Sequence, residues 1–192
     1  MITTMTAATT PVTIRPERLR DIEAREALLD AAFGAARFAK NSQRLRDGRL
    51  PADGLSFVAC AGTRVIGTVR LWPVLCGPHH PALLLGPMAV DAAWRGRGVG
   101  AALIGRALGE ARRRGHRAVV LVGDAPYYGR FGFSSDKTGA LRMPGAHEPH
   151  RLLALTFTPG ALDGARGAIV PAGQPALAPV PGAAPQPRRK AA

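Results

Sequence analysis

ALLLGPMAVDAAWRGRGVGAALIGRALGEARRRGHRAVVLVGDAPYYGRFGF, residues 82–133, is the stretch on which the reading of this chain turns. It opens on an apolar run, Ala82–Val90, broken only by Gly86-Pro87, and later reaches a second apolar run, Ala118–Gly123. Between them Val99, Ala102, Leu103, Ala107 and Ala111 recur at helical spacing. The pattern predicts a helix over Val99–Arg114 with Gly115 as its stop. Arg112, Arg113 and Arg114 fall in the last turn, where cations complement the helix dipole on a solvated face. Strand, loop, helix and strand in that order make a crossover connection.

The loop before this helix is Arg95-Gly96-Arg97-Gly98-Val99-Gly100. Its glycines let the backbone approach a ligand closely and turn N–H groups inward. The helix start adds four unpaired N–H groups and a partial positive charge. Together they suit a pyrophosphate, with Arg95 and Arg97 available for charge-assisted bonds. A Walker loop would end in Gly-Lys-Ser/Thr, whereas this one continues Gly100-Ala101-Ala102. The dinucleotide fingerprint comes closer, because Gly98-x-Gly100 opens a helix and Asp124 ends a later strand. Its third glycine position holds Leu103, however, and Asp91–Trp94 separate the loop from its strand. The pattern that remains is Arg-x-x-Gly-x-Gly, filled by Arg95, Gly98 and Gly100.

Outward from this core, VTIRP (12–16) reads as a short strand and Asp21–Phe33 as a helix with an apolar side. A second, short helix is expected around Asn41–Asp47, stopping near Gly48 with Pro51 beyond. Leu55–Ala61 and Arg64–Leu75 flank Gly62-Thr63 as a hairpin. GPHHP (77–81) is a breaker, and Leu152–Thr158 is a late strand. Residues 1–11 and the Ala/Pro-rich stretch 171–192 are expected to be disordered, leaving one domain over 12–170. The sum is a mixed α/β fold, its early strands mostly antiparallel.

These residues together resemble the GNAT superfamily of N-acetyltransferases. LLLGPMAV and the spacing from Val90 through Trp94 to Arg95-Gly96 are similar to the family's fourth strand and phosphate loop. Tyr128-Gly129-Arg130-Phe131-Gly132-Phe133 is similar to its tyrosine-then-Gly-Phe element after the fifth strand. The resemblance spans about residues 12–158. It implies a central, mostly antiparallel sheet with splayed fourth and fifth strands and flanking helices. Two departures stand out: Ala92 occupies the place of a frequent proline, and the fourth strand carries no Glu or Asp to serve as general base.

The resemblance implies acetyl-CoA as cosubstrate and a primary amine as acceptor, with no metal. The pyrophosphate would lie on the amides of Gly96, Arg97, Gly98, Val99, Gly100 and Ala101. The pantetheine arm, a chain of amides, can pair with a strand edge, and Met88, Ala89 and Val90 are the candidates. Gly86-Pro87 is placed to form the bulge that begins the splay. The N–H of Val90 or Met88 is the candidate donor to the oxyanion formed when the amine attacks the thioester. Tyr128 is the candidate acid for the leaving thiolate, since a phenol with pKa near 10 stays protonated at neutral pH. Tyr127 points elsewhere on the same helix and reads as structural. His79, His80, Asp124 or a water chain are candidates to deprotonate the amine; His79 and His80 also read as an exposed turn and Asp124 as a helix cap. No base is assigned.

Composition bounds the alternatives. The chain has 192 residues, 46% of them apolar, enough for one core and short for two. Its net charge is +13, carried almost wholly by Arg, which favours anionic partners. A basic nucleic-acid module is one rival reading, but aromatic residues are only 5% and none interleave with the arginines as a stacking platform. The other rival is an acyl-CoA-binding sensor of the same fold without turnover. Cys60 and Cys76 lie in apolar runs and read as small buried side chains. No run approaches the ~20 apolar residues of a membrane span, and the opening lacks the basic and apolar regions of a signal peptide. A cytoplasmic protein is expected, and a homodimer is one arrangement the family uses.

Overall fold

The computed structural model describes residues 10–176. Eight strands form the sheet: β1 (Val12–Pro16), β2 (Ser56–Ala61), β3 (Arg64–Cys76), β4 (Pro81–Val90), β5 (Ala118–Val122), β6 (Leu141–Arg142), β7 (Leu152–Thr156) and β8 (Gly167–Pro171). The main path runs β1-β2-β3-β4-β5-β7. Every neighbour on it is antiparallel except β4 and β5, which the crossover makes parallel. The helices are α1 (Ile22–Phe33), α2 (Val99–Arg113) and the single-turn α3 (Ala125–Gly129).

Side-chain alternation along the strands assigns each face of the sheet. Phe57 and Ala59 on β2, Leu83 and Leu85 on β4, and Val119 and Leu121 on β5 face α2. There they meet Leu103, Ile104, Ala107 and Ala111, all fully buried. Burying each such Leu or Ile stabilises by roughly 1.5–3 kcal/mol, so this face anchors α2 and the loop at its start. The opposite face carries Val58, Cys60 and Ala89 under Leu28 and Leu29 of α1. Farther along that face Leu84 and Val120 pack with Leu141, Leu152 and Leu162. Cys60 and Cys76 are free thiols inside these clusters, and burial pushes Cys76 up to about 12.

Three expectations need correction. Asn41–Asp47 is not an α-helix. After Gly34 ends α1, the chain makes a 3-10 turn over Ala35–Ala39 and then successive turns, with Gln43 N–H bonded to Lys40 O and Arg46 N–H to Gln43 O. Asn41 spends its side chain on Ala146 O instead of capping a helix. Second, β6 and β8 form where the sequence predicts no strand. Third, the boundary at 171 falls too early. Ala172 N–H bonds to Pro73 O, Leu50 N–H to Gln174 O and Ala176 N–H to Gly48 O, so residues 171–176 belong to the folded unit. Of the segments expected to be disordered, 1–9 and 177–192 lie outside the described residues.

Candidate active site

The site begins where β4 and β5 part. Their parallel pairing is confined to Leu83 with Val119 and Leu84 with Val120. Past Leu85, β4 bulges against β3: Val69 pairs with Met88 and Leu71 with Leu85, leaving Gly86-Pro87 opposite Arg70 alone. Trp72 Nε1 donates to Gly86 O at 2.6 Å and holds the bulge from beneath. Met88, Ala89 and Val90 therefore run on along β3 while β5 diverges, and a gap opens between the two strands.

The loop then closes one end of the gap. Asp91 accepts from Ala93 N–H at 2.9 Å, making a single 3-10 turn over Ala92–Trp94, and pairs with Arg64 at 2.5 Å. Gly96 and Gly98 take φ of +75° and +78°, the left-handed region open to glycine. Gly98 caps α2 with no side chain bonded to the first turn, so its N–H groups face outward. A Cβ at Gly96 or Gly98 would meet nothing within 4 Å, which leaves this surface open to a ligand. Gly100 faces into the gap, where its Cβ would lie 3.1 Å from the Tyr127 hydroxyl and 3.6 Å from Val90.

A cavity of about 530 Å³ occupies the gap. All the expected cofactor residues line it except Arg97, whose guanidinium lies 5.2 Å over the Trp94 ring. Arg95 bonds back to Val90 O at 3.3 Å. Tyr127 also lines the cavity, contrary to its expected structural role. Arg130 stacks on its ring at 4.5 Å, so a cation stands at the mouth.

Tyr128 lies on the other side. Its half-buried ring rests on Gly123, where an added methyl would come within 2.7 Å of Cδ2 and closer still to Cε2. It meets Phe133 and Tyr127 edge-on, at 6.0 and 5.0 Å between centroids. Tyr128 borders a second cavity, of about 320 Å³, with Pro87, Leu121, Asp124, Arg46 and Arg151. Met88 and Phe33 line both cavities, so the two are neighbours, with Tyr128 on the wall of the second. Burial raises the Tyr128 phenol above its ordinary value, with Tyr127 and Asp124 adding to the effect.

The candidate bases separate here. Asp124 accepts from Tyr127 N–H at 3.2 Å, so the capping role is real, and it also borders the second cavity. Among the described residues lining the two cavities it is the sole carboxylate. His79 sits exposed in the β3–β4 turn, and His80 Nε2 bonds to Asp163 O at 3.0 Å. Neither histidine lines either cavity. Sequence reasoning missed Arg37, Lys40 and Arg46, which the turns after α1 bring to the second cavity; no spacing sets them apart from the other arginines. Arg113 and Arg114 are held by Glu110 on α2, which accounts for them without a nucleic-acid partner.

Comparison with known proteins places the chain in a family. The model of the acetyltransferase (GNAT) family matches residues 18–133. The chain is 33% identical over 162 residues to the uncharacterized N-acetyltransferase YhbS of Escherichia coli K12, covering 81% of this chain and 93% of that one. The crystal structure of E. coli YhbS in complex with CoA superposes with a TM-score of 0.73 at 30% identity, over 87% of this chain and 93% of the other. A GNAT family acetyltransferase from Brucella melitensis in complex with acetyl-CoA gives 0.61 at 30% identity, over 79% and 91%.

Proposed function

This chain belongs to the GNAT family of acetyltransferases, and from that premise we propose that it moves an acetyl group from acetyl-CoA to a primary amine, with Tyr128 as the acid. The observation that carries the reading is the 530 Å³ cavity joining an uncapped helix start to the gap between β4 and β5. The residues fit the cosubstrate at each part. The outward N–H groups of α2 and the open surface at Gly96 and Gly98 suit the pyrophosphate. Met88, Ala89 and Val90 offer a strand edge to the amides of the pantetheine arm.

Acetyl-CoA supplies an activated acetyl carbon; the acceptor nitrogen bonds to it as the carbon–sulfur bond breaks. Tyr128 gives its phenolic proton to the departing thiolate. The proton released by the amine leaves through the second cavity to solvent or Asp124, and Tyr128 is reprotonated in turn. Burial keeps Tyr128 in its protonated form throughout the neutral range. A sensor that binds the cosubstrate without turnover is the second reading. It draws on the absence of a carboxylate from β4 and on the use of Asp124 as a cap.

Turnover separates the two. Full-length protein is incubated with acetyl-CoA and a panel of primary amines, following free thiol and identifying acetylated products by mass. Amine-dependent thiol release supports the enzyme. Tight acetyl-CoA binding with no transfer across the panel would favour the sensor.

A further inference from the structure

One wall of the second cavity holds a buried cation that no carboxylate touches. Arg46 is only 7% exposed. Its Nε has no hydrogen-bond partner, and Nη2 reaches only Ser42 Oγ, at 3.4 Å. Among the described residues no carboxylate forms an ion pair with it. Burial pushes the guanidinium down to about 10, with Arg37 adding to the effect and the charge of neighbouring Asp47 only partly opposing it. Buried arginines are almost always paired, because an uncompensated charge in a poorly hydrated site is costly. Arg25, equally buried in this fold, shows the usual solution: it is bound to Glu17 and Glu26.

The surroundings repeat the sign. Arg37 beside the same cavity is neutralised by Glu26 and Asp30, but Lys40 and Arg151 at the rim have no ion-pair partner among the described residues. Asp124 is the one carboxylate among the residues lining this cavity, and it accepts from the backbone of α3. Arg46 is also placed to matter for transfer. Its Nη1 would lie 3.6 Å from a Cβ on Gly86, at the bulge that opens the gap to Met88 and Tyr128. A positive wall here opposes a polyamine and suits an anion.

We propose that Arg46 anchors an anionic group of the acceptor, so that the acceptor is a small amine bearing a carboxylate, of the amino-acid kind. The carboxylate lies at Arg46 and the amine at the gap beside Tyr128. A planar guanidinium gives a carboxylate two parallel N–H donors, and a space of about 320 Å³ holds a single small molecule. This narrows the acetyltransfer reading above and rests on it.

The test uses the full-length protein with acetyl-CoA and matched acceptors: free L-amino acids, their primary amides, an aminoalkyl phosphonate and spermidine. Isothermal titration with CoA runs alongside. At least one free amino acid is expected to exceed its own amide in kcat/KM by about tenfold or more, the scale of one charge-assisted hydrogen bond. Arg46→Gln is expected to abolish that preference by raising KM, with CoA affinity kept. Arg46→Lys, which keeps the charge and loses the fork, is expected to fall between them and serves if the Gln variant does not fold. Preference for amides or spermidine, no transfer to any amino acid by a protein that binds CoA, or an intact preference in Arg46→Gln would each overturn the proposal. Preference for the phosphonate would overturn the carboxylate. Failure to bind CoA would instead bring down the acetyltransfer reading itself.

Discussion

The proposed mechanism rests its acid on one side chain, Tyr128. Gly123 gives the Tyr128 ring a seat no other residue could leave open, and the Tyr128 carbonyl receives the Phe131 N–H at 3.0 Å. Tyr128→Phe keeps this packing and removes only the proton. We expect kcat to fall by about 10²-fold or more, while CoA affinity stays near wild type in a parallel titration. The pH profile makes a second demand. The amine must lose a proton to attack, so the rate rises with pH; burial raises Tyr128, so the acid is not lost until above its ordinary value of about 10. A rate that climbs to about pH 10 without a descending limb agrees with Tyr128. A fall between about pH 8 and 9 would assign the acid to another group. The sequence singles out Tyr128 by its spacing to Gly132-Phe133, and the structure puts it on the wall of the second cavity. Tyr127 was not legible, because helical geometry separates the two side chains but does not say that α3 stands between two cavities. Arg46 carried no signal either: one arginine in an arginine-rich chain looks like its neighbours until burial singles it out.

Among the elements, α2 and the loop at its start were the most legible, since an apolar stripe and three glycines each have a physical cause. The gap between β4 and β5 follows from Gly86-Pro87, where a ladder cannot continue unbroken. The turns over 41–48 and strand β8 were not legible. The first has helix-forming residues but no capping residue free to start a helix, and the second buries only Ile169 fully among Gly, Ala and Pro. Two substitutions on α2 test the cavity assignment. Gly100→Val would crowd Tyr127 and Val90 inside the gap, and CoA affinity should drop by about tenfold or more. Gly105→Ala meets nothing within 4 Å and should leave CoA affinity unchanged while stabilising the helix by about 0.5–1 kcal/mol in denaturant titration. Equal affinity in both variants would place the cofactor elsewhere.

Over the whole molecule, one sheet is buried by α2 on one face and by α1 with the later strands on the other. Composition and periodicity made that plan legible, but the place where the fold ends was misread from a shift to Ala, Pro and Gly. Residues 171–176 lie along Pro73 and Gly48–Leu50 through backbone bonds, which a composition argument cannot see. Ending the chain at Val170 removes these bonds, each contributing about 0.5–1.5 kcal/mol, and should lower Tm by roughly 5–15 °C. Ending it after Ala176 keeps them and is the matched control. Equal Tm in the two truncations would show that this segment adds nothing to the fold. Among the described residues no helix is long and apolar enough to cross a membrane.

The central claim is that the cavity over Gly96–Ala101 receives acetyl-CoA. It is tested most directly by isothermal titration of the full chain with acetyl-CoA, using NAD as the competing phosphate-bearing ligand. The account predicts saturable binding of one acetyl-CoA per chain and no heat with NAD. A folded protein that takes up NAD, or that leaves acetyl-CoA unbound, would contradict it.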